Sequence, residues 1–485
     1  MPAADDTFTV ALMARLYQDL SAGMPVGDAL RDAKLEMINR FGEKALPLFW
    51  AGFFVTGDPI GPCSIHKMTS NNPSEEVRRN VLAAALNIYE SRVYDPAYRN
   101  SLRPRLEADM SRLLQTSNFE QEIDEHLRSI GIFPTAFEHD ENRKVELRRL
   151  LAATFYAVNG DKPAWMFQDV HSHGLAASAQ IVVGDTLVEV NGQPIAPPVK
   201  PTVLASGVSR IIVETRNGTK TLEVNPELLN ARPANGLKHW LFHRDPQNYA
   251  QSSILPDGIG YVRIAEFPGL IGVHVAHQID RAFARVSRCE RLIVDIRGNP
   301  GGGTSNLRLM THLTPERIPV GYSLTRPRAA SGYRREELPQ FTRIPGSRLL
   351  LPVAVWKFRK LDKSIVVVTE GRKKRSYDGR IVMLVNEHTV SGAEIVAGFA
   401  SDHGLAKLVG TRTRGTMLGF SRFSVGDGYF MTIPVSNYVT WEGKTFEHSG
   451  VVPDVEVPFD PDAAKDGRDS QLEAAIVSNL LSKES

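Results

Sequence analysis

The sequence IVMLVNEHTVSGAE, residues 381–394, joins an uninterrupted apolar run to the beginning of a helix. The apolar residues 381–385 predict a buried strand, and Ser391 stands where the following helix begins. A serine in that place is usually an N-cap, because its hydroxyl accepts a hydrogen bond from a free backbone N–H of the first turn. The place also suits a catalytic nucleophile, since the positive end of the helix dipole stabilises developing negative charge. Position alone leaves both interpretations open.

Strands and helices alternate around this stretch. Residues 260–264, 291–296 and 380–385 have the apolar composition of strands, and residues 273–286 and 391–402 have helical periodicity. Such alternation predicts an α/β core that contains parallel strands.

Composition sets limits on the class of protein. A chain of 485 residues is long enough for about three domains. The net charge of +2 does not indicate a nucleic-acid partner. Two cysteines cannot form a disulfide framework, which favours a reducing compartment. The N-terminus lacks the apolar core of a signal peptide, and no apolar run reaches about 18 residues, so we expect a cytoplasmic protein without a membrane partner.

A glycine-rich stretch, DIRGNPGGG (295–303), follows the strand at 291–296. Glycines adopt positive φ and let a ligand approach the backbone closely. Such a loop can cradle a phosphate, form half of an oxyanion hole, or be only a tight turn. It lacks the lysine and hydroxyl ending of a P-loop, which disfavours nucleotide binding.

Two motifs taken together resemble one family. DIRGNPGGG, followed about ninety residues later by TVSGAE, resembles the C-terminal processing peptidases, the tail-specific and tricorn-like serine peptidases. The stretch LVGTRTRG (408–415) resembles a strand and turn of that family, and FEHSGVVPD (446–454) resembles its closing signature. The resemblance covers roughly residues 75–460. It implies an α/β fold with a ClpP/crotonase-like ββα core and no metal or organic cofactor.

The resemblance also implies roles for particular residues. Ser391 would attack the scissile peptide carbonyl. The backbone N–H of Gly392 would hold the oxyanion together with an N–H of the glycine loop, from Gly301 or Gly302.

A serine hydroxyl needs a base to take its proton, and the family supplies one in two ways. Processing peptidases use a lysine about 25 residues after the serine, and Thr416 occupies that place here. Tricorn-like peptidases use a histidine before their PDZ module, and Pro134 occupies that place. His139 is the nearest substitute, or otherwise a surface histidine. Glu447 aligns with the acid that supports the tricorn-like histidine, or otherwise makes a surface ion pair.

The stretches GLAASAQIVVGD (174–185) and LVEVNG (187–192) resemble the PDZ module of the family. PDZ domains bind an extended peptide along a sheet edge, and often capture its C-terminal carboxylate. The expected partner is therefore a protein or peptide substrate with an extended or C-terminal segment. His171 and His173 are expected to be solvated. The groove residues implied by the resemblance are Gly174, Leu175 and Ala176.

The N-terminal residues have a resemblance of their own. Residues 16–34 and 48–53 resemble the C-terminal end of a CHAT domain, which has a caspase-like peptidase fold. The catalytic residues of that family lie upstream of this end, so Cys63 does not match a nucleophile. The predicted domains are a CHAT-like piece (1–68), a helical domain (75–160), a PDZ-like domain (164–228), an α/β peptidase core (236–460) and a C-terminal tail (461–485).

Two functions follow from these patterns. The first is a serine-type endopeptidase. The second is a catalytically impaired relative that binds peptides through the PDZ-like domain, which the residues Thr416 and Pro134 favour. The basic segment 357–380 is either a solvated hairpin or loop, or a patch for an anionic partner. No pattern indicates an oligomeric state.

Overall fold

The computed structural model describes two compact units, Met1–Pro73 and Ser74–Ser485. In the first unit, helix α1 (Val26–Phe41) buries Ala29, Ala33 and Met37, which lie four residues apart on one helical stripe. The remaining part of the CHAT-like segment, including Cys63, lies outside the described residues. The residues that the structure describes are 15, 16, 18, 19, 24, 26–41 and 73–477, without 133, 161, 228–246, 270, 347–363 and 372–376.

The second unit begins with a helical layer. The hydroxyl of Ser74 caps the first of these helices by accepting a hydrogen bond from the Val77 N–H at 3.3 Å. Apolar side chains of the layer pack against Met431 and Ile433 of an antiparallel sheet. Its elements are α2 (Glu75–Arg92), a 3-10 turn (Pro96–Tyr98), α3 (Leu102–Ala108), α4 (Met110–Leu113) and α5 (Phe119–Arg128).

A β-rich region with its own apolar core follows. Phe167, Leu187 and Ile211 lie at the centre of that core and are fully buried. The elements up to this point are β1 (Ala136–His139), a 3-10 turn (Asp140–Asn142), β2 (Lys144–Glu146), α6 (Leu147–Leu151), β3 (Ala153–Val158), β4 (Ala164–Val170), α7 (Leu175–Ser178), β5 (Thr186–Val190), β6 (Gln193–Pro194), β7 (Thr202–Leu204), β8 (Ser209–Thr215) and β9 (Gly218–Val224). The segment predicted to be PDZ-like, 164–228, covers this region from β4 onward, whereas β2, α6 and β3 precede it; the PDZ assignment stays a prediction.

The strands of this region form an antiparallel sheet in the order β3-β4-β5-β8-β9, with β6 paired to β5. The short strands β2 and β7 pair with each other. Alternation of buried and exposed residues along β8 agrees with a sheet that packs on one face only.

The remaining elements form the α/β core and a second sheet. They are β10 (Ala250–Ile254), a 3-10 turn (Pro256–Gly258), β11 (Gly260–Ile264), α8 (Val273–Val286), β12 (Arg291–Asp295), α9 (Asn306–Leu313), β13 (Pro319–Thr325), α10 (Arg326–Ser331), a 3-10 turn (Arg335–Glu337), β14 (Gln340–Phe341), β15 (Ile365–Val368), β16 (Arg380–Val385), α11 (Gly392–Asp402), β17 (Lys407–Gly410), β18 (Gly419–Gly426), β19 (Tyr429–Thr440), β20 (Val455–Glu456), α12 (Pro461–Lys465) and α13 (Ser470–Val477).

The core sheet has the order β10-β11-β12-β16-β17-β20, and it is parallel from β11 to β20. Its central strands are apolar runs, because helices cover both faces of a parallel sheet. The predicted α/β core with parallel strands is therefore confirmed. Asp295 pairs with Leu384, so β12 and β16 end side by side. The loops that follow these strands consequently leave the same edge of the sheet, which is where ligand sites form in open α/β sheets.

The second sheet has the order β1-β19-β13-β15-β14, with β18 on the other side of β19. The hairpin of β18 and β19 begins at Gly419, which pairs with Ser436, and turns between Gly426 and Tyr429. None of the described helices is long and apolar enough to cross a membrane.

Candidate active site

Two buried asparagines join the loops after β12 and β16. The side-chain oxygen of Asn386 accepts a hydrogen bond from the Gly298 N–H at 2.9 Å. The backbone oxygen of Asn299 accepts one from the Val390 N–H at 2.9 Å, and its side-chain nitrogen donates to the Ile264 carbonyl at 2.9 Å. Both asparagines are at most 1% exposed. The glycine loop and the Ser391 loop are therefore held together by buried hydrogen bonds.

Ser391 sits at the end of this joined structure with an unusual backbone. Its φ is 52° and its ψ is −115°, immediately before helix α11. A positive φ costs free energy in any residue with a Cβ, about 1–3 kcal/mol, and persists where the surroundings hold it. The Ser391 N–H donates to Glu394 Oε2 at 2.9 Å, and its carbonyl accepts from the Ile395 N–H at 3.0 Å. Such outliers are common at functional sites.

Gly301, Gly302 and Gly392 pack directly on one another. A Cβ on Gly301 would lie 2.6 Å from the Gly392 nitrogen, and one on Gly302 would collide with the carbonyl oxygen of Phe267. A Cβ on Gly392 would lie 3.4 Å from the Gly302 nitrogen, so these two backbone groups are neighbours. The Gly301 N–H already donates to Asn299 Oδ1 at 2.8 Å. Side by side next to Ser391, the N–H groups of Gly302 and Gly392 can serve as paired donors.

A buried ionic network anchors the start of the glycine loop. Asp295, fully buried at the end of β12, accepts hydrogen bonds from Tyr261 Oη at 2.7 Å and Arg263 Nη1 at 2.8 Å. Arg297 binds the same carboxylate through Nη2 at 2.7 Å, and also binds Asp469. Burial by itself raises the pKa of Asp295, but the charges of Arg297 and Arg263 outweigh burial and hold that pKa well below its ordinary value.

The β-rich region contacts these loops through polar groups of β3 and β4. Asp169 pairs with Arg263, and Gln168 Nε2 donates to Glu387 Oε1 at 2.8 Å. The imidazole of His388 contacts the Phe155 carbonyl at 3.1 Å. Since Glu387 and His388 belong to the loop that leads to Ser391, this region is tied to the loop that carries the serine.

The expectation that His171 is solvated is wrong, because the side chain lies inside this contact and is 5% exposed. Its Nδ1 is 3.4 Å from Arg263 Nη2, and its ring stacks on His173 with centroids 5.7 Å apart. Burial lowers the pKa of His171 to about 4, and the nearby charge of Asp169 only partly opposes this. His173 is half-buried and packs on Tyr249.

We therefore expect His171 to make the protein sensitive to acid. With a folded pKa of about 4 against an ordinary value of 6.5, the unfolded chain binds more protons between these values, so stability falls as the pH drops from 6.5 to 4. The loss is about 3 kcal/mol. Urea unfolding of the wild type and of His171→Gln at pH 7.5 and pH 4.2 measures it. Between these two pH values the wild type should lose more stability than the variant. Equal losses would contradict the lowered pKa of His171.

Glu394 is a site residue that sequence reasoning missed. It is 0% exposed, and its carboxylate accepts hydrogen bonds from Ser391 N, Thr413 Oγ1, Gly415 N and Thr416 N. The signal was present in the sequence, because an acidic residue three positions after a helix-capping serine forms a capping box.

Glu447 lies next to the same turn. Its Oε2 accepts hydrogen bonds from Met417 N at 2.6 Å and Leu418 N at 3.1 Å. Burial raises the pKa of Glu447 above its ordinary value, although the Met417 N–H partly opposes this. The alternative of a surface ion pair is not what the structure shows, since no described cation pairs with this carboxylate. Whether Glu447 supports a base stays a prediction.

The structure does not bring His139 to Ser391. His139 pairs with Tyr429 at the turn between β18 and β19, and its ring packs on Tyr429 with centroids 4.8 Å apart. The carboxylates of Glu394 and Glu447 bind the chain just before β18, at the opposite end of that strand. Seven residue steps along β19, from Tyr429 to Ser436, separate the two ends by about 20 Å.

The two positions that the resemblance assigns to a base, 416 and 134, carry no basic side chain. Thr416 contributes its backbone N–H to Glu394 at 3.0 Å, and Pro134 precedes β1 without an ionisable group. Within the part of the chain that the structure describes, no histidine or lysine hydrogen-bonds the hydroxyl of Ser391. No cluster of potential metal ligands occurs among the described residues either.

The implied peptide-binding residues begin helix α7. Gly174 precedes the helix, and a Cβ there would collide with the carbonyl oxygen of Leu151. Leu175 is 38% exposed, whereas Ala176 is buried in the core of the β-rich region. Leu175 is thus the member of the three that presents an apolar surface to solvent, and the peptide-binding role of all three stays a prediction.

Comparisons with known proteins agree with these observations. Residues 258–457 match the model of peptidase family S41, and residues 3–58 match the CHAT domain model. Tricorn protease homolog 1 of Streptomyces coelicolor is 28% identical over 327 residues, which are 65% of this chain and 26% of that protein. The carboxyl-terminal-processing protease of Picosynechococcus is 25% identical over 237 residues, which are 47% of this chain and 46% of that protein.

The chain thus spans about a quarter to a half of the length of these two relatives. The solved structure of the photosystem II D1 C-terminal processing protease aligns with 81% of this chain and 94% of its own, at 19% identity and a TM-score of 0.48. By sequence, residues 258–457 of this chain match peptidase family S41, and the protein is similar to the C-terminal processing and tricorn proteases.

Proposed function

We propose that this protein is a serine-type endopeptidase with Ser391 as its nucleophile. The observation that carries the proposal is the strained Ser391 backbone beside the adjacent nitrogens of Gly302 and Gly392. Buried hydrogen bonds hold these elements in place before any substrate arrives. In many enzymes such preorganised donors make the largest single contribution to stabilising the transition state.

The chemistry follows from this geometry. Ser391 Oγ attacks the carbonyl carbon of the scissile peptide bond while its proton passes to a base. The carbonyl oxygen becomes negatively charged and accepts hydrogen bonds from the N–H groups of Gly302 and Gly392. The C–N bond then breaks, the amine leaves with a proton, and water hydrolyses the acyl-enzyme. One oxyanion donor is worth about 10²–10³-fold in kcat.

The substrate is a protein or peptide with an extended or C-terminal segment. The contacts of the β-rich region with Glu387 and His388 support this substrate class, because they connect the sheet that we propose to bind peptides to the loop that carries Ser391. A peptide added to that sheet would be held close to the nucleophile.

A second candidate function rests on a different observation. Thr416 and Pro134 replace the basic residues of the family, and loss of a general base costs about 10²–10⁴-fold in rate. A protein with a rate lowered by that factor would act mainly by binding peptides through its β-rich region.

A fluorophosphonate probe separates the two functions, since it phosphonylates only an activated serine hydroxyl. The whole chain is incubated with the probe, digested, and the labelled peptide located by mass spectrometry. The peptidase proposal predicts a single label on Ser391. Folded protein without a label, or with the label on other serines only, would overturn the proposal and favour the binding function.

A further inference from the structure

Two carboxylates, one buried and one half-buried, hold four consecutive backbone N–H groups next to Ser391. Glu394 accepts from Gly415 N at 2.6 Å and Thr416 N at 3.0 Å. Glu447 accepts from the next two residues, with Met417 N at 2.6 Å and Leu418 N at 3.1 Å. The segment 413–418, called the clasped turn below, is therefore fixed along its length.

Glu394 is the carboxylate that reaches the nucleophile as well. Its Oε2 accepts from both Thr416 N and Ser391 N, and its Oε1 accepts from Thr413 Oγ1 at 2.6 Å and from Gly415 N. A buried carboxylate is costly unless hydrogen bonds replace its hydration. Four donors do so here, and no described cation takes part.

The bond to Ser391 N acts on a strained residue. Ser391 has a φ of 52°, and Gly301 packs against it on the side of the glycine loop. On the other side, the hydrogen bond to Glu394 links Ser391 to the clasped turn. The serine backbone is thus held between two rigid loops, and the direction of Oγ depends on both.

We propose that Glu394 is a positioning residue, which ties Ser391 to the clasped turn and so orients the serine hydroxyl for attack. This inference rests on the peptidase function proposed above. Glutamine at position 394 has the same shape, but its amide group carries two hydrogens. The amide accepts hydrogen bonds at one oxygen only, so its nitrogen would face donors such as Ser391 N or Thr413 Oγ1. Some of the hydrogen bonds that tie Ser391 to the clasped turn would then be lost.

The test compares the rate of fluorophosphonate labelling in Glu394→Gln with its final extent. Misorientation of Oγ is expected to lower the maximal inactivation rate constant about 10- to 100-fold, with little change in the concentration dependence of probe binding. A merely structural role would instead lower the fraction of protein that labels, while the folded molecules keep the wild-type rate constant. Glu394→Gln that labels at the wild-type rate constant overturns the proposal.

Glu370→Gln is the matched control. Glu370 is also a buried carboxylate of the same domain, and it pairs with Arg308 at 3.0 Å. This variant is expected to lose stability but to keep the labelling rate constant in its folded fraction. If the labelling rate constant of Glu370→Gln fell as much as that of Glu394→Gln, general destabilisation would explain both losses, and the positioning role of Glu394 would be overturned.

A second pair of variants decides the matter where Glu394→Gln does not fold. Thr413→Val removes one donor to Glu394, whereas Thr413→Ser keeps the hydroxyl. We expect the valine variant to label several-fold more slowly and the serine variant to label at the wild-type rate. Equal rates for both overturn the proposal. A wild type that does not label at all refutes the peptidase function itself, which is a different outcome.

Discussion

Replacing Ser391 with alanine is expected to abolish covalent labelling by a fluorophosphonate and to lower peptide hydrolysis by about 10³-fold or more. The variant loses the only atom that can form the acyl-enzyme at this position. The alanine keeps the backbone conformation that Ser391 adopts, because both residues carry a Cβ and face the same strain at a φ of 52°. The thermal midpoint of unfolding should therefore stay close to that of the wild type. A loss of labelling and hydrolysis would then be due to the missing hydroxyl alone.

Ser287→Ala is a suitable control for this measurement. Ser287 is exposed at the end of helix α8, and its hydroxyl donates to the carbonyl of Ala284. Its variant should label like the wild type. Persistent labelling of Ser391→Ala would show that another residue reacts with the probe, and the nucleophile assignment would then be wrong.

Asp295→Asn is expected to lower the free energy of unfolding by about 3–5 kcal/mol. Asp295 is 0% exposed and compensates the half-buried Arg263 and the buried Arg297 through charge-assisted hydrogen bonds. The amide removes the negative charge and places a donor where the arginines also donate. Urea unfolding at pH 7 measures the loss. Because the network anchors the glycine loop, the labelling rate of Ser391 should fall as well.

The pH dependence gives a second check on Asp295. Its folded pKa lies below that of the unfolded chain, so its contribution is complete above about pH 4 and is lost as the pH falls below that value. The stability difference between the wild type and Asp295→Asn should therefore narrow in strong acid. Asp462→Asn, which alters an ion pair with a 90% exposed carboxylate, should leave the unfolding midpoint unchanged. A midpoint for Asp295→Asn equal to that of the wild type would contradict the role of the network.

The place of Ser391 between a strand and a helix could be predicted because local pattern carries it. Ser391 follows an apolar strand and begins a helix, and a glycine loop follows a second strand. The parallel pairing of β12 with β16 then places both loops at one edge of the sheet. Strand composition, helix starts and glycine turns are properties of short segments, so they can be recognised without the rest of the fold.

The positions of the histidines could not be predicted in the same way. His139 is near Pro134 in the sequence, yet β1 directs it along the sheet to the turn at Tyr429. His171 lies in a polar stretch, yet the contact between the β-rich region and the glycine loop buries it. Burial of a polar side chain depends on residues far away in the chain, as the pairing of Asp169 with Arg263 shows.

The amino-acid order alone was enough to establish the α/β core, the relation to a peptidase family and the place of Ser391, since each depends on the order of neighbouring residues. Tertiary structure distinguished the two loop glycines: the Gly301 N–H donates to the side chain of Asn299, whereas the Gly302 N–H has no partner among the described residues. It also brought Glu394 into contact with residues about twenty positions downstream in the clasped turn. Hydrogen bonds of this kind depend on distances of a few tenths of an ångström between segments, which are fixed only when the loops pack together.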